Sequence, residues 1–298
     1  MGILVDSNTC VLVQGITGTQ GKLHTQLMQQ YGTSVVAGST PGKGGTYVGA
    51  VPVYDTIREA QKNRPANTSI IFVPATYAVD AAVEALEAEI KTIVMITEHV
   101  PVKDEIELMD HAKRTSARII GPNTPGVITP GKCKVGIMPA HEFTPGNIGV
   151  VSRSGTLTYE ISSALTKQGL GQSTCVGIGG DPVTGINFID TLKLFRMDPE
   201  THAVALIGEI GGDLEELAAE YISREKYPKP VVAFIAGRTA PQGKRMGHAG
   251  AIITGKMGTA EAKISALEAV GVKVAKTPSD VANYLSQALR KVASQQDS

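Results

Sequence analysis

Cys10-Val11-Leu12-Val13-Gln14-Gly15-Ile16-Thr17-Gly18-Thr19-Gln20-Gly21 is the stretch whose reading decides the fold. An apolar run ends in a glycine turn, and a helical stretch from Lys22 to Tyr31 follows. Strand, glycine turn and helix in this order predict a Rossmann-like opening, where backbone N–H groups and the positive end of a helix favour phosphate. Glycines at 15, 18 and 21 follow G-x-x-G-x-x-G and depart from the dinucleotide fingerprint G-x-G-x-x-G. The next apolar run, Ser34-Val35-Val36-Ala37-Gly38, leads into Ser39-Thr40-Pro41-Gly42-Lys43-Gly44-Gly45, where an NAD-binding chain would carry an acid. Lys43 suits an additional phosphate, either the 3′-phosphate of coenzyme A or the 2′-phosphate of NADP.

Outward from this unit the alternation continues. An apolar run reaches Tyr54, a polar helix starts at Thr56, and strands are expected at Ile70–Val73, Thr92–Ile96 and Arg118–Ile120, with helices over Val79–Ile90 and Lys103–Ser116. Loops at the strand ends, Pro74-Ala75-Thr76 and Thr97-Glu98-His99, are expected to line one crevice. The segment 126–145 is rich in Gly and Pro, has little periodicity, and reads as a linker between domains 1–125 and 146–298. A second series follows, with strands at Ile148–Val151, Thr174–Ile178, Ala203–Ile207, Val231–Ala236 and Val272–Ala275. Helices over Leu157–Gln168, Ile186–Phe195, Leu214–Ile222, Ala260–Val270 and Val281–Val292 separate or follow them. Two doubly wound α/β units with parallel sheets covered on both faces are the fold class expected.

Composition narrows the function. The 298 residues suffice for two ordinary domains. The 28 basic and 28 acidic side chains cancel, leaving no long-range field to draw in nucleic acid or an anionic membrane. Anion binding must then be local. No apolar run approaches a bilayer span, and Met1-Gly2-Ile3-Leu4-Val5-Asp6 lacks the basic flank of a secretion signal, so a cytoplasmic protein is expected, with a mature mitochondrial matrix form left open. Cys10, Cys133 and Cys175 have no metal-like spacing and fit reduced thiols.

A second glycine-rich loop, Gly237 to Ala251, follows strand Val231–Ala236 and contains one histidine, His248. With Gly247 before it and Ala249-Gly250 after it, the imidazole has no bulky sequence neighbour, so a large anionic group can reach a ring nitrogen. The following Gly250-Ala251-Ile252-Ile253-Thr254-Gly255-Lys256-Met257 is a near miss to a P-loop: it lacks the Ser or Thr after Lys256 and does not join its strand directly. Ser152-Arg153-Ser154-Gly155-Thr156 precedes a helix and reads either as an anion site or as a simple Ser154 cap. Glu209, in Gly208-Glu209-Ile210-Gly211-Gly212-Asp213, should sit at the carboxyl end of its sheet. There it is either a solvated acid or the acceptor of one imidazole proton, leaving the other ring nitrogen nucleophilic.

Taken together, Gly247-His248-Ala249-Gly250-Ala251, Gly208 to Gly212, Ser152 to Glu160, Gly121-Pro122-Asn123 and Gly18-Thr19-Gln20-Gly21 resemble the α subunit of succinyl-CoA synthetase, the succinate–CoA ligase family. The resemblance spans essentially the whole chain. It implies an N-terminal Rossmann-like CoA-binding domain, a C-terminal flavodoxin-like ligase domain, and a β subunit carrying Mg²⁺ and ADP/ATP or GDP/GTP, in an αβ or α₂β₂ assembly. It further implies that His248 is the phosphohistidine and Glu209 its orienting partner. Thr17, Gly18, Thr19, Gln20, Lys43, Ile96, Thr97 and Glu98 would hold coenzyme A, and Tyr159 would border the carboxylic substrate. Ser154, Gly155 and Thr156 would open a phosphate-stabilising helix. The implied reaction converts succinyl-CoA, nucleoside diphosphate and phosphate reversibly to succinate, CoA and nucleoside triphosphate, through succinyl phosphate and phosphohistidine. His99 stands where a glycine is common in the family, and Thr124 where a cysteine is common. Competing readings are a malate–CoA ligase or ADP-forming acetyl-CoA synthetase subunit, an NADP-dependent oxidoreductase, and a CoA-sensing module without catalysis.

Overall fold

The computed structural model describes residues 2–241, 243–253 and 258–296. The near miss to a P-loop lies partly outside them, at 254–257. The first sheet contains β1 (Cys10–Gln14), β2 (Ser34–Ser39), β3 (Tyr47–Val48), β4 (Val51–Tyr54), β5 (Thr68–Ile71), β6 (Thr92–Met95) and β7 (Arg118–Ile120). Helices α1 (Thr19–Gln30), α2 (Ile57–Asn63), α3 (Ala75–Glu87) and α4 (Val102–Lys113) link its parallel strands. The strands lie in the order β3-β4-β2-β1-β5-β6-β7, and without the antiparallel edge β3 this is the doubly wound order of a Rossmann fold.

The second sheet contains β8 (Gly126–Thr129), β9 (Cys133–Gly136), β10 (Pro145–Ser152), β11 (Gln172–Gly177), β12 (Ala203–Glu209), β13 (Val231–Ala236) and β14 (Lys273–Ala275). Its helices are α5 (Gly155–Lys167), α6 (Phe188–Met197), α7 (Leu214–Arg224), α8 (Ala260–Ala269) and α9 (Pro278–Gln296). The order β14-β13-β12-β10-β11-β8-β9 contains the flavodoxin-like order over β10 to β14.

Both sheets are covered on two faces because successive apolar residues in a strand point to opposite sides. In β1, Val11 and Val13 enter one core cluster and Leu12 another. In β12, Val204 and Leu206 enter the cluster shared with the first domain, while Ala203, Ala205 and Ile207 face a third. Near-continuous Val, Ile, Leu and Ala runs are the sequence consequence.

The linker expectation for 126–145 differs from the structure. β8 and β9 form an antiparallel hairpin on the edge of the second sheet, a 3₁₀ turn spans Ala140–Glu142, and β10 already starts at Pro145. Each hairpin strand has four residues, too few for periodicity to stand out in sequence. The hairpin also fastens the domains together: Thr33 Oγ1 donates to the Lys134 carbonyl at 2.8 Å and accepts from Lys134 N–H at 3.0 Å, and Thr129 Oγ1 donates to the Val5 carbonyl at 2.7 Å.

Helix α1 starts at Thr19, before the expected Lys22, because Gly21 is already inside its first turn. A Cβ on Gly21 would stand 2.2 Å from the Gly15 carbonyl oxygen, so only glycine lets the helix pack this closely on the turn. Helix α5 likewise starts at Gly155, with Leu157 N–H donating to the Ser154 hydroxyl at 3.4 Å.

Candidate active site

In open α/β sheets the crevice opens at the carboxyl ends of strands where the strand order reverses. In the first sheet that point lies between β1 and β5, and in the second between β10 and β12. The Gly15–Gly18 turn follows β1, Arg153 and Ser154 follow β10, and Glu209 is the last residue of β12. Helix α1 has neither a side-chain cap nor an acid in its first turn, so its leading N–H groups remain available to an anion.

His248 approaches Glu209 through Nδ1, at 3.0 Å from each carboxylate oxygen. A carboxylate only accepts, so the proton must sit on Nδ1 and Nε2 is the nitrogen left for chemistry. The Glu209 side chain is 8% exposed and that of His248 27%, so the acid is buried beneath a ring that solvent still reaches. The bond to Glu209 raises the imidazole pKa above its ordinary 6.5; burial and Arg153 oppose the rise, and the charges of Glu209 and Asp181 add to it. The ring rests on Gly180, where a Cβ would stand 2.4 Å from Cγ and 2.6 Å from Nδ1 of His248. Glu209 is therefore the imidazole's acceptor and not a solvated loop acid.

Below the pair lies a buried ionic network whose roles sequence reasoning missed. Arg153 Nη2 stands 3.7 Å from Glu209 Oε1, and its Nη1 donates to the Gly211 carbonyl at 2.9 Å and to Glu215 Oε1 at 3.2 Å. Lys263 donates to the other oxygen of Glu215 and, at 3.3 Å, to Glu216. Arg153 is 3% exposed, and Glu215 and Lys263 are fully buried. Arg153 was visible as part of a motif, but Glu215 and Lys263 sit on α7 and α8, where charged residues ordinarily read as a solvated helix face.

A cavity of about 590 Å³ joins the two crevices. It brings together Gln20, Ile96, Thr97 and Glu98 of the first domain with Gly155, Thr156, Tyr159 and His248 of the second. Thr17, Gly18, Thr19, Lys43, Ser154 and Glu209 do not line it. Thr17 ties the first glycine turn to the loop after β2 through a 3.1 Å hydroxyl contact with Thr40, and Lys43 is exposed farther along that loop. The glycine turn, the uncapped α1 and the extended cavity fit a long phosphate-bearing substrate such as CoA. Sequence reasoning did not single out His24 and Phe72, which stack with centroids 5.5 Å apart and also line the cavity.

Both departures from the family pattern stand at constrained positions. His99 adopts φ +64°, the left-handed conformation that favours glycine. Thr124 donates to the Gly177 carbonyl at 2.5 Å and accepts from Gly126 N–H at 2.9 Å, so its hydroxyl fastens the cavity wall to β11.

The CoA binding domain family matches residues 6–99, and the CoA-ligase family matches residues 151–273. A succinate–CoA ligase [ADP-forming] subunit alpha 2 of Archaeoglobus fulgidus is 59% identical over 289 residues, covering 97% of this chain and all of that relative. The chain belongs to the succinate–CoA ligase α-subunit family. The corresponding α subunit of Staphylococcus aureus is 54% identical, covering 98% of this chain and 96% of that one. The ATP citrate lyase of Methanothrix soehngenii, solved with citrate and coenzyme A, superposes with a TM-score of 0.89 at 26% identity. The match covers 98% of this chain, which spans about half (51%) of the lyase chain. As a succinate–CoA ligase α subunit the chain is an acid–thiol ligase component, and the oxidoreductase and sister-ligase readings are not favoured. Among the described residues no helix is long and apolar enough to cross a membrane.

The carboxylate behind the ring gives an expected pH response. Protonated imidazole is not a nucleophile, so His248 reactivity should rise as pH increases through its raised pKa. Glu209→Gln removes the main cause of the rise, and the acid limb of the imidazole's reactivity should move to lower pH. Its plateau should fall by about 10²-fold or more because the amide no longer dictates the tautomer. An acid limb that stays in place would show that Glu209 does not control this proton.

Proposed function

We propose that this chain, paired with a β subunit, interconverts succinyl-CoA, ADP and phosphate with succinate, CoA and ATP, and that His248 carries the phosphoryl group between them. The observation that supports this most directly is that His248 Nδ1 is fixed on Glu209 while the ring lines the same cavity as Gln20, Thr97 and Tyr159. Thr17, Gly18, Thr19, Gln20, Lys43, Ile96, Thr97 and Glu98 are proposed to bind CoA, and Tyr159 the carboxylic substrate. Residues 1–125 form the CoA-binding domain in this reading and 146–298 the ligase domain, with 126–145 bearing the hairpin between them. The assembly is αβ or α₂β₂ in the cytoplasm, with Mg²⁺ and the nucleotide held by the β subunit.

A phosphate oxygen attacks the thioester carbon, the C–S bond breaks with the CoA thiolate departing, and succinyl phosphate forms. His248 Nε2 then attacks phosphorus, the P–O bond to succinate breaks, and the carboxylate departs. Glu209 keeps the Nδ1 proton throughout, which holds the ring in one tautomer and stabilises the positive charge that develops on it. Arg153 and the Gly180 contact restrict where the ring can point. The first N–H groups of α5, at Gly155 and Thr156, supply fixed positive potential to the phosphate oxygens, while Ser154 caps the helix. The last transfer passes the phosphoryl group from Nε2 to the nucleotide on the partner.

Radiolabelled ATP with Mg²⁺ offered to this chain alone, and to the chain with its β subunit, tests the division of labour. Acid-labile, base-stable phosphate on His248 is expected only with the partner present. Rapid labelling of the isolated chain would mean that it contains a nucleotide site of its own.

A further inference from the structure

Glu105, on α4 of the first domain, is fully buried, and among the described residues neither of its carboxyl oxygens has a well-formed hydrogen bond. It faces Asp181 of the second domain, which is 2% exposed and whose Oδ2 also lacks a donor. Asp181 Oδ1 accepts from Asn123 Nδ2 at 2.9 Å. Two carboxylates meeting out of water would repel with nothing to neutralise them, whereas one proton between them makes a donor and satisfies an acceptor. Among the described residues the surrounding charges do not supply an alternative. Lys103 pairs with Glu107 and Arg114 with Asp110 on the exposed side of α4. Glu84, on the neighbouring α3, accepts from Ile57 N–H. Arg153 is committed to Glu209 and Glu215, and His248 to Glu209. The Val183 backbone N–H is directed at Glu105 and offsets burial and Asp181 only in part.

We propose that Glu105 is protonated in the native protein and donates to Asp181, and that this acid–acid hydrogen bond between the domains positions the Gly180 turn against which the His248 ring rests. That turn reaches the active site directly. Gly180 N–H donates to the Asn123 carbonyl at 3.1 Å, and the Gly180 carbonyl accepts from Gly250 N–H at 3.0 Å, two residues beyond His248. The Gly180 Cα faces the imidazole so closely that a Cβ would overlap it. Glu105 and Asp181 are thus positioning residues, acting through Asn123 and Gly180. Burial first, and Asp181 second, push the Glu105 carboxyl from 4.5 up to about 8. The folded chain keeps this proton to about pH 8 while the unfolded chain releases it near 4.5, so stability falls as pH rises between those limits. The loss is at most about tenfold in the folding constant per pH unit. Above that range the ionised pair should loosen the turn.

The link to His248 rests on the phosphoryl-carrier reading, but the proton itself does not, and the experiment separates them. Infrared spectra of the full chain near pH 6.5 should contain a protonated-carboxyl carbonyl band that disappears in Glu105→Gln and, as a second variant, shifts in frequency in Asp181→Asn, where burial still favours the protonated acid but its acceptor has changed. Amide exchange at Gly250, corrected for the intrinsic pH effect, should speed up at least tenfold between pH 7 and 9 in the wild type and not in Glu105→Gln. In the complex with the β subunit, His248 phosphorylation should fall over the same alkaline range, and Glu105→Gln should remove that fall. Identical infrared spectra for wild type and Glu105→Gln, or an unchanged alkaline response in the variant, would overturn the proposal. A band that behaves as expected beside a complete lack of His248 labelling would support the acid pair and sink the phosphoryl-carrier reading alone.

Discussion

His248→Asn should leave the fold and CoA affinity intact and lower succinyl-CoA formation by at least about 10⁴-fold. Asparagine can still donate to Glu209, so the buried carboxylate keeps a partner and the loop keeps its anchor. What disappears is the nitrogen proposed to make and break the bond to phosphorus. The cavity residues proposed to hold CoA, Gln20 on α1 and Ile96, Thr97 and Glu98 after β6, lie on other segments and are untouched. The decisive comparison is steady-state turnover against CoA binding, both measured in the assembled enzyme. Turnover above roughly one-hundredth of wild type would remove His248 from the reaction path.

Arg153→Met is the second large effect, and it acts on stability as well as on the site. Methionine fills similar space but leaves the Gly211 carbonyl without its guanidinium donor and Glu215 with Lys263 as its remaining cationic partner. Breaking a buried ion pair in this way costs roughly 3–5 kcal/mol, on the order of a 10 °C fall in melting temperature for a chain of this size. Arg153 also holds the His248 pKa down, so its loss should move the acid limb of phosphorylation to higher pH, opposite to Glu209→Gln. Calorimetry and a pH–rate profile on the same preparation check both parts. Combining Arg153→Met with Glu215→Gln should cost less than the sum of the two single losses, because both substitutions break the same buried pair. Simple additivity of the two losses would show that they do not act through one network.

Most strands and helices were legible because they are long apolar runs or amphipathic stretches separated by glycine turns. The segment 126–145 was not, since the pairings that make its residues a hairpin come from β11 and from residues near Thr33, far away in sequence. Helix starts also shifted by a few residues at Thr19 and Gly155, where close glycine packing and a serine cap begin the helix before its apolar periodicity does.

The sequence by itself determined two α/β units, the glycine turn after β1 and the single histidine in a glycine-rich loop, because each is encoded by residues adjacent in the chain. Only the tertiary structure decided that Glu209 lies beneath His248, that Arg153, Glu215 and Lys263 are buried together, and that Glu105 meets Asp181 between the domains. A charged residue on a helix reads the same whether it faces water or the interior. Its chemistry is fixed by which distant groups share its burial, and that is settled when the sheets and their helices pack.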